Sequence, residues 1–446
     1  MTSPSSNGNA QRGLRRRVVV TGMGAITPLG HTVATTWQGL QQGARGVGRL
    51  TLFDASTFET QIGAEVKNFD LEAVRRSARP EIAEALDRKN AFGLVAAREA
   101  MADARLYTPA AGTTGGFEPG RFGIALGTEG RRDSLLPELA QRKLRVSAPE
   151  QVDERRAVLG EIPSWEYLRY SPYGLAYALS AEFGARGPIT TISTACTSSS
   201  QALGFALDKI RHGEADIMLA GGAECLMEPT MVAGFILLGA LSKNNADPQG
   251  ASRPFDGERD GFVLAEGGAM LVLEDAWHAY RRGAPIYAEV AGFGASINAY
   301  RITDSPPDGQ GPLIAMRAAL ADAGLEPSQV DYVNAHGTST VQNDASETVA
   351  IKRCFGERAA RIPVSSTKSM TGHMVNAAGA IEAIISTLAI RDGFVPPTMN
   401  YQHSDPVCDL DYVPNQGRRQ PVHVAVSNSF GFGGSNGSLI FRSYVP

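Results

Sequence analysis

An apolar strand closing on Gly-X-Gly occurs twice in this chain, and the same order of elements succeeds each copy. The first copy is Val18-Val19-Val20-Thr21-Gly22-Met23-Gly24; the second is Tyr287-Ala288-Glu289-Val290-Ala291-Gly292-Phe293-Gly294. After the second, a helical pattern over Gly311 to Ala323 carries Leu313, Met316, Ala319 and Leu320 on one side. The strand Val330-Asp331-Tyr332-Val333-Asn334-Ala335 then runs into His336-Gly337, as Asp216-Ile217-Met218-Leu219-Ala220 runs into a Gly221-Gly222 turn in the first half. With 446 residues there is chain enough for two cores. The repeated order implies an α/β fold of two related halves, over 16–284 and 285–446, behind a disordered leader at 1–15. Gly22-Met23-Gly24 is a poor dinucleotide fingerprint, because Thr27 stands where the third glycine belongs and no acidic strand end follows at the required distance.

Between these landmarks the periodicity predicts helices over Thr35–Gln42 and Pro80–Ala104, and a Pro/Gly/Thr loop over Tyr107–Gly120. Strands are expected at Phe122–Gly127 and Ala269–Glu274, and a helix at Asp275–Arg282. The charged, mixed stretch from Glu129 to Tyr170 reads as a helical excursion over the surface.

Composition removes several function classes. A formal net charge of -4 argues against nucleic acid as the main partner. The four cysteines, at 196, 225, 354 and 408, lack CxxC spacing, which fits a reducing cytosol and neither a disulfide framework nor a zinc site. The longest apolar run, Val232 to Leu241, is too short for the ~20 residues a membrane span needs. Met1 to Arg17 has no apolar core of the kind a secretory signal carries, so a cytoplasmic protein is expected.

Four segments carry residues that can do chemistry. In Thr194-Ala195-Cys196-Thr197-Ser198-Ser199, one cysteine lies between the β-branched strand Gly187–Ser193 and a helical pattern from Gln201 to Arg211. A helix start offers free N–H groups and positive charge, which favour thiolate and hence attack on a thioester. A small buried hydrophobe is the other reading of such a cysteine, and the segment alone leaves both open. The other three are Asn334-Ala335-His336-Gly337-Thr338-Ser339-Thr340, Ser365-Ser366-Thr367-Lys368-Ser369-Met370-Thr371-Gly372-His373, and Ser427 to Asn436 with its Gly431-Phe432-Gly433-Gly434 turn. Each reads as a strand end followed by a small-residue turn, and strand ends in α/β folds converge on one crevice. His336 and His373, read singly, are ordinary core or loop histidines; together with Cys196 and Lys368 they make a candidate active site. The glycine turn can offer N–H groups to an oxyanion or can be a plain tight turn.

Taken together, these four motifs resemble the elongating β-ketoacyl-acyl-carrier-protein synthases, and the resemblance runs from Arg16 to Phe441. It implies a thiolase-like fold, layered α-β-α-β-α, and an acyltransferase that condenses malonyl-ACP with an acyl chain held on Cys196. His336 and His373 would then serve decarboxylation, Lys368 and Glu382 would form a supporting charge pair, and N–H groups of Cys196 and Phe432 would make the oxyanion hole. Phe432 would also gate the site, and Thr338 and Thr340 would contact pantetheine. Neither metal nor cofactor is implied. The implied partners are an acyl carrier protein and a second subunit, either a copy of the chain or a chain-length-factor-like homologue. Arg88 and Lys89 are candidates for a basic patch that docks the acidic carrier. The retained Cys196 speaks against a non-catalytic, chain-length-setting subunit, and a Cys-His hydrolase would have no use for the second histidine.

Some residues depart from the fatty-acid pattern. Val341-Gln342-Asn343-Asp344-Ala345-Ser346-Glu347-Thr348 follows the His336 motif and is similar to type II polyketide ketosynthases. Met374-Val375-Asn376 replaces the usual leucine-leucine-glycine sort of sequence, and Glu129-Gly130-Arg131-Arg132 falls near the expected acyl pocket. These departures favour a type II polyketide or polyene ketosynthase over a housekeeping fatty-acid enzyme.

Overall fold

The computed structural model describes residues 15–108, 112–130 and 168–446. Residues 1–14 of the expected leader, 109–111 of the expected loop and 131–167 of the expected surface excursion lie outside the described residues.

Ten strands of the described residues form one sheet: β1 (Val18–Ile26), β2 (Phe122–Gly127), β3 (Ile189–Ile192), β4 (Ile217–Glu224), β5 (Gly267–Asp275), β6 (Ala288–Ile297), β7 (Tyr332–Asn334), β8 (Val364–Ser365), β9 (Val424–Phe430) and β10 (Ser435–Arg442). The helices that matter for the site are α1 (Arg88–Asp103), α2 (Ser198–Arg211), α3 (Pro229–Leu237), α4 (Gln310–Ala323), α5 (Val341–Phe355) and α6 (Ala378–Asp392).

The strand order is β3-β2-β4-β5-β1 in the first half and β8-β7-β9-β10-β6 in the second. In the first, β2 is parallel to β3 and β4, and β5 is antiparallel to β4 and β1. The second repeats this, with β7 parallel to β8 and β9, and β10 antiparallel to β9 and β6. One topology is therefore written twice. The halves meet where Val19 and Val20 of β1 pair with Glu289 and Ala288 of β6, so hydrogen bonding continues through all ten strands.

Helices α2 and α6 lie between the halves and touch strands of both. Along β5, Ala269, Leu271 and Leu273 face that central layer, whereas Met270 and Val272 face the cluster containing α1. That alternation, apolar on both sides, is what a sheet covered on both faces requires. On the far side, α4 and α5 close over Val333, Val426 and Ile440. The result is the thiolase-like layering.

The glycine pairs do a different job from the one expected. β1 runs on through Gly22 and Gly24 to Ile26, and β4 runs on through Gly221 and Gly222. A Cβ on Gly22 would lie 2.1 Å from the Ala100 carbonyl oxygen, and one on Gly24 1.9 Å from that of Ala96. Gly292 and Gly294 meet Ala319 and Ala315 of α4 in the same way. The repeated Gly-X-Gly marks close strand-to-helix contact, not a strand end. The helix expected over Pro80–Ala104 is broken after Ala83, and α1 restarts behind Asp87, whose carboxylate accepts the Asn90 N–H at 2.7 Å. Among the described residues no helix is long and apolar enough to cross a membrane.

Candidate active site

Cys196 is placed by a strained turn. After β3, Ala195 adopts φ +51°, and Ala195–Thr197 make a single 3-10 turn before α2 begins. A left-handed alanine persists only where its surroundings over-determine it. Here the Ser198 hydroxyl accepts from the Thr194 N–H at 2.9 Å, and the Thr197 hydroxyl donates to the Thr194 carbonyl at 2.8 Å.

The histidines arrive from the other half. His336 follows β7, and its N–H and that of Gly337 donate to the Glu347 carboxylate at 2.9 and 2.8 Å. His373 follows the short helix Lys368–Thr371, and its N–H donates to the Val263 carbonyl at 2.8 Å. The structure brings the expected set together: His373 Nε2 lies 3.1 Å from Cys196 Sγ, and the two imidazole centroids are 5.3 Å apart. The sulfur and one nitrogen of each ring all lie within 4.8 Å of one another. Phe262 covers the His373 ring edge-on at 5.2 Å.

Lys368 sits behind His336. Its Nζ donates to the His336 carbonyl at 2.7 Å, lies 3.3 Å from His336 Nδ1, and pairs with Glu382. With a donor at Nδ1, His336 carries its own proton on Nε2.

Burial sets the protonation states. It pushes the Cys196 thiol up to about 11, against the pull of Lys368 and of the Phe432 and Cys196 N–H groups that bond toward the sulfur. The expectation of a favoured thiolate is thus corrected: the helix start is present, but burial of the sulfur outweighs it. Burial, joined by the charge of Lys368, holds both imidazoles well below their usual range. Glu382 is pushed up to about 7 by burial, with Lys368 opposing. A neutral thiol beside a neutral imidazole can pass its proton at the moment of attack.

A cavity of about 270 Å³ opens onto these groups, lined by Cys196, His336, His373 and Phe432, with Thr338 and Thr340 further along. The two threonine hydroxyls lie 2.8 Å apart. Gly433 and Gly434 take φ +80° and +78°, which lets the turn present the Phe432 N–H to the sulfur.

Lys89 is no part of a docking patch, which corrects its expected role. Lys89 is fully buried with Nζ on the Glu129 carbonyl, and Arg88 pairs with the buried Glu266. Residue spacing does not distinguish the covered face of α1 from a solvated one, so the Lys89 charge reads as free in sequence. Sequence reasoning also misses Glu347 as a site residue. It lies in α5, eleven positions beyond the histidine whose N–H it accepts.

Residues 15–279 match the β-ketoacyl synthase N-terminal domain, and residues 287–402 match its C-terminal domain. The chain belongs to the β-ketoacyl synthase family. Among curated relatives of this β-ketoacyl synthase, a 3-oxoacyl-[acyl-carrier-protein] synthase 2 from Synechocystis is 43% identical over 96% of this chain and 99% of its own. One of the same name from Coxiella burnetii is 42% identical over 96% and 98%. Among solved structures, a β-ketoacyl synthase from Burkholderia phymatum aligns with a TM-score of 0.85 at 35% identity, over 96% of this chain and 100% of that one. A type II polyketide ketosynthase, in complex with its acyl carrier protein and bound to the hexaketide, aligns at 0.82 and 38%, over 97% and 100%. Like its family, the chain is a condensing acyltransferase.

Proposed function

We propose that this synthase joins an acyl group held on Cys196 to a malonyl unit carried by an acyl carrier protein. The observation that supports it best is the shared cavity, with His373 Nε2 3.1 Å from Cys196 Sγ, His336 beside it and two N–H groups converging on the sulfur. The Cys196 thiol gives its proton to His373 Nε2 as sulfur attacks the acyl thioester. The tetrahedral oxyanion rests on the Cys196 and Phe432 N–H groups, and the departing carrier thiolate takes the proton from His373. Malonyl thioester then enters past Thr338 and Thr340. Loss of carbon dioxide leaves an enolate whose oxygen accepts from His336 Nε2–H. Its carbon attacks the acyl-Cys196 carbonyl, and collapse expels the Cys196 sulfur, which takes up a proton from water. The products are a β-ketoacyl carrier two carbons longer and carbon dioxide. Lys368 and Glu382 hold His336 in the tautomer this needs, and Phe432 gates the two steps.

A second subunit is expected along β3, a sheet-edge strand on which Ile189 is 55% exposed. One solved neighbour is an ishigamide ketosynthase/chain length factor, which supports a homologous partner. Glu129 and the Gln342–Thr348 stretch favour a type II polyketide or polyene role; identity to the 3-oxoacyl synthase 2 enzymes favours a housekeeping fatty-acid role. Purification from the native cell separates them: a bound homologue lacking the cysteine supports the first, and a self-dimer the second. For the reaction itself, the protein with acyl-carrier and malonyl-carrier should give β-ketoacyl-carrier, and Cys196→Ala should give none. Condensation persisting in that variant overturns the nucleophile assignment.

A further inference from the structure

Asn376 occupies in the second half the place Cys196 occupies in the first. Each is the middle residue of a 3-10 turn that opens a central helix, Ala195–Thr197 before α2 and Val375–Ala377 before α6. Each follows a left-handed residue, Ala195 at φ +51° and Val375 at φ +39°. Asn376 is completely buried, and its side chain reaches across to the first half. Its Oδ1 accepts from the Ser198 hydroxyl at 2.7 Å, and its Nδ2 donates to the Glu224 carboxylate.

The chemistry of the groups orients the amide. A carboxylate only accepts, so nitrogen faces Glu224 and oxygen faces Ser198. Ser198 shares its one proton between Asn376 Oδ1 and the Ala195 carbonyl, 2.6 Å away, while accepting from the Thr194 N–H. Those two backbone groups bracket the strained residue before Cys196. Glu224 is itself 1% exposed, and the fully buried Lys89 acts on it from α1.

We propose that Asn376 is a positioning residue for the nucleophile, tying the Thr194–Cys196 turn through Ser198 to the buried Glu224 and Lys89. The role rests on Cys196 being the acylated residue. It also gives the inward-facing Lys89 a function: burial pushes Glu224 up to about 7, and the Lys89 charge opposes that, favouring the carboxylate that accepts from the amide. Glu224 faces Lys89 and Glu129, the Cys225 N–H and the Asn376 amide; nearby, Arg88 and the Cys225 thiol are engaged by Glu266.

Acylation of Cys196 by an acyl-carrier thioester, followed by intact mass in a single turnover, tests this. Asn376→Ala and Ser198→Ala should each slow acylation about tenfold, and the double variant should be no slower than the slower single. Malonyl-carrier decarboxylation, read in a Cys196→Ala background, should change less than about threefold on adding Asn376→Ala. Multiplying effects, unchanged acylation, or an equal fall in both half-reactions overturns the proposal. If Asn376→Ala does not fold, Lys89→Met decides. Losing that charge lets Glu224 hold its proton to higher pH, so the acid limb of the acylation profile should move up by about one unit; an unmoved limb overturns it. Wild-type protein run alongside reports on the nucleophile assignment separately, because its failure to acylate removes that assignment and not merely the role of Asn376.

Discussion

Lys368 Nζ lies 3.3 Å from His336 Nδ1 while bonding the same residue's carbonyl at 2.7 Å, so one side chain fixes both the ring and the backbone of that histidine. Lys368 and Glu382 are 2% and 1% exposed, so neither has water to fall back on.

Lys368→Met should therefore cost roughly 3–5 kcal/mol of stability, the usual result of leaving one member of a buried pair alone. Adding Glu382→Gln should recover part of it. Urea denaturation of wild type, the single variant and the double variant measures both effects.

The histidines should separate by half-reaction. His373→Ala removes the base 3.1 Å from sulfur and is expected to slow Cys196 acylation on the order of 10²-fold. His336→Ala is expected to spare acylation within about tenfold and to remove most malonyl decarboxylation. Intact mass reads the first, and carbon dioxide release the second.

The thiol should behave as a weak acid. With Cys196 pushed up to about 11, its alkylation by iodoacetamide should rise about tenfold per pH unit from about pH 7 to about pH 9. A plateau below about pH 8 would place the thiolate within the ordinary range and contradict the effect of burial on the thiol.

Gly24→Ala puts a Cβ 1.9 Å from the Ala96 carbonyl, backbone that α1 cannot move cheaply. A loss of roughly 2 kcal/mol or more is expected, seen as a lowered midpoint in thermal unfolding.

The site is more legible in the sequence than the reasons for the fold. Cys196, His336, His373 and Lys368 stand out because each lies in a short run whose residue types serve one chemistry; three of them line the cavity and Lys368 backs His336. The repeat of halves is visible in Gly-X-Gly, but its cause is not: only the distance from Gly24 to Ala96 shows that those glycines admit a helix. Lys89 misleads because burial of a lysine is decided by partners distant in sequence, here the Glu129 carbonyl and Glu224. The thiolate expectation fails for a similar reason, since a helix start is local while the burial opposing it comes from a cluster whose members, Phe262, Leu264 and Val375 among them, are far along the chain.

The most direct measurement is to load the protein with acyl-carrier, map the adduct by peptide mass, and then add malonyl-carrier. The acyl group is expected on Cys196 alone, and it should leave that residue as β-ketoacyl-carrier forms. An adduct elsewhere, or an acyl-Cys196 that persists while product accumulates, would contradict a nucleophile and two imidazoles working in one cavity.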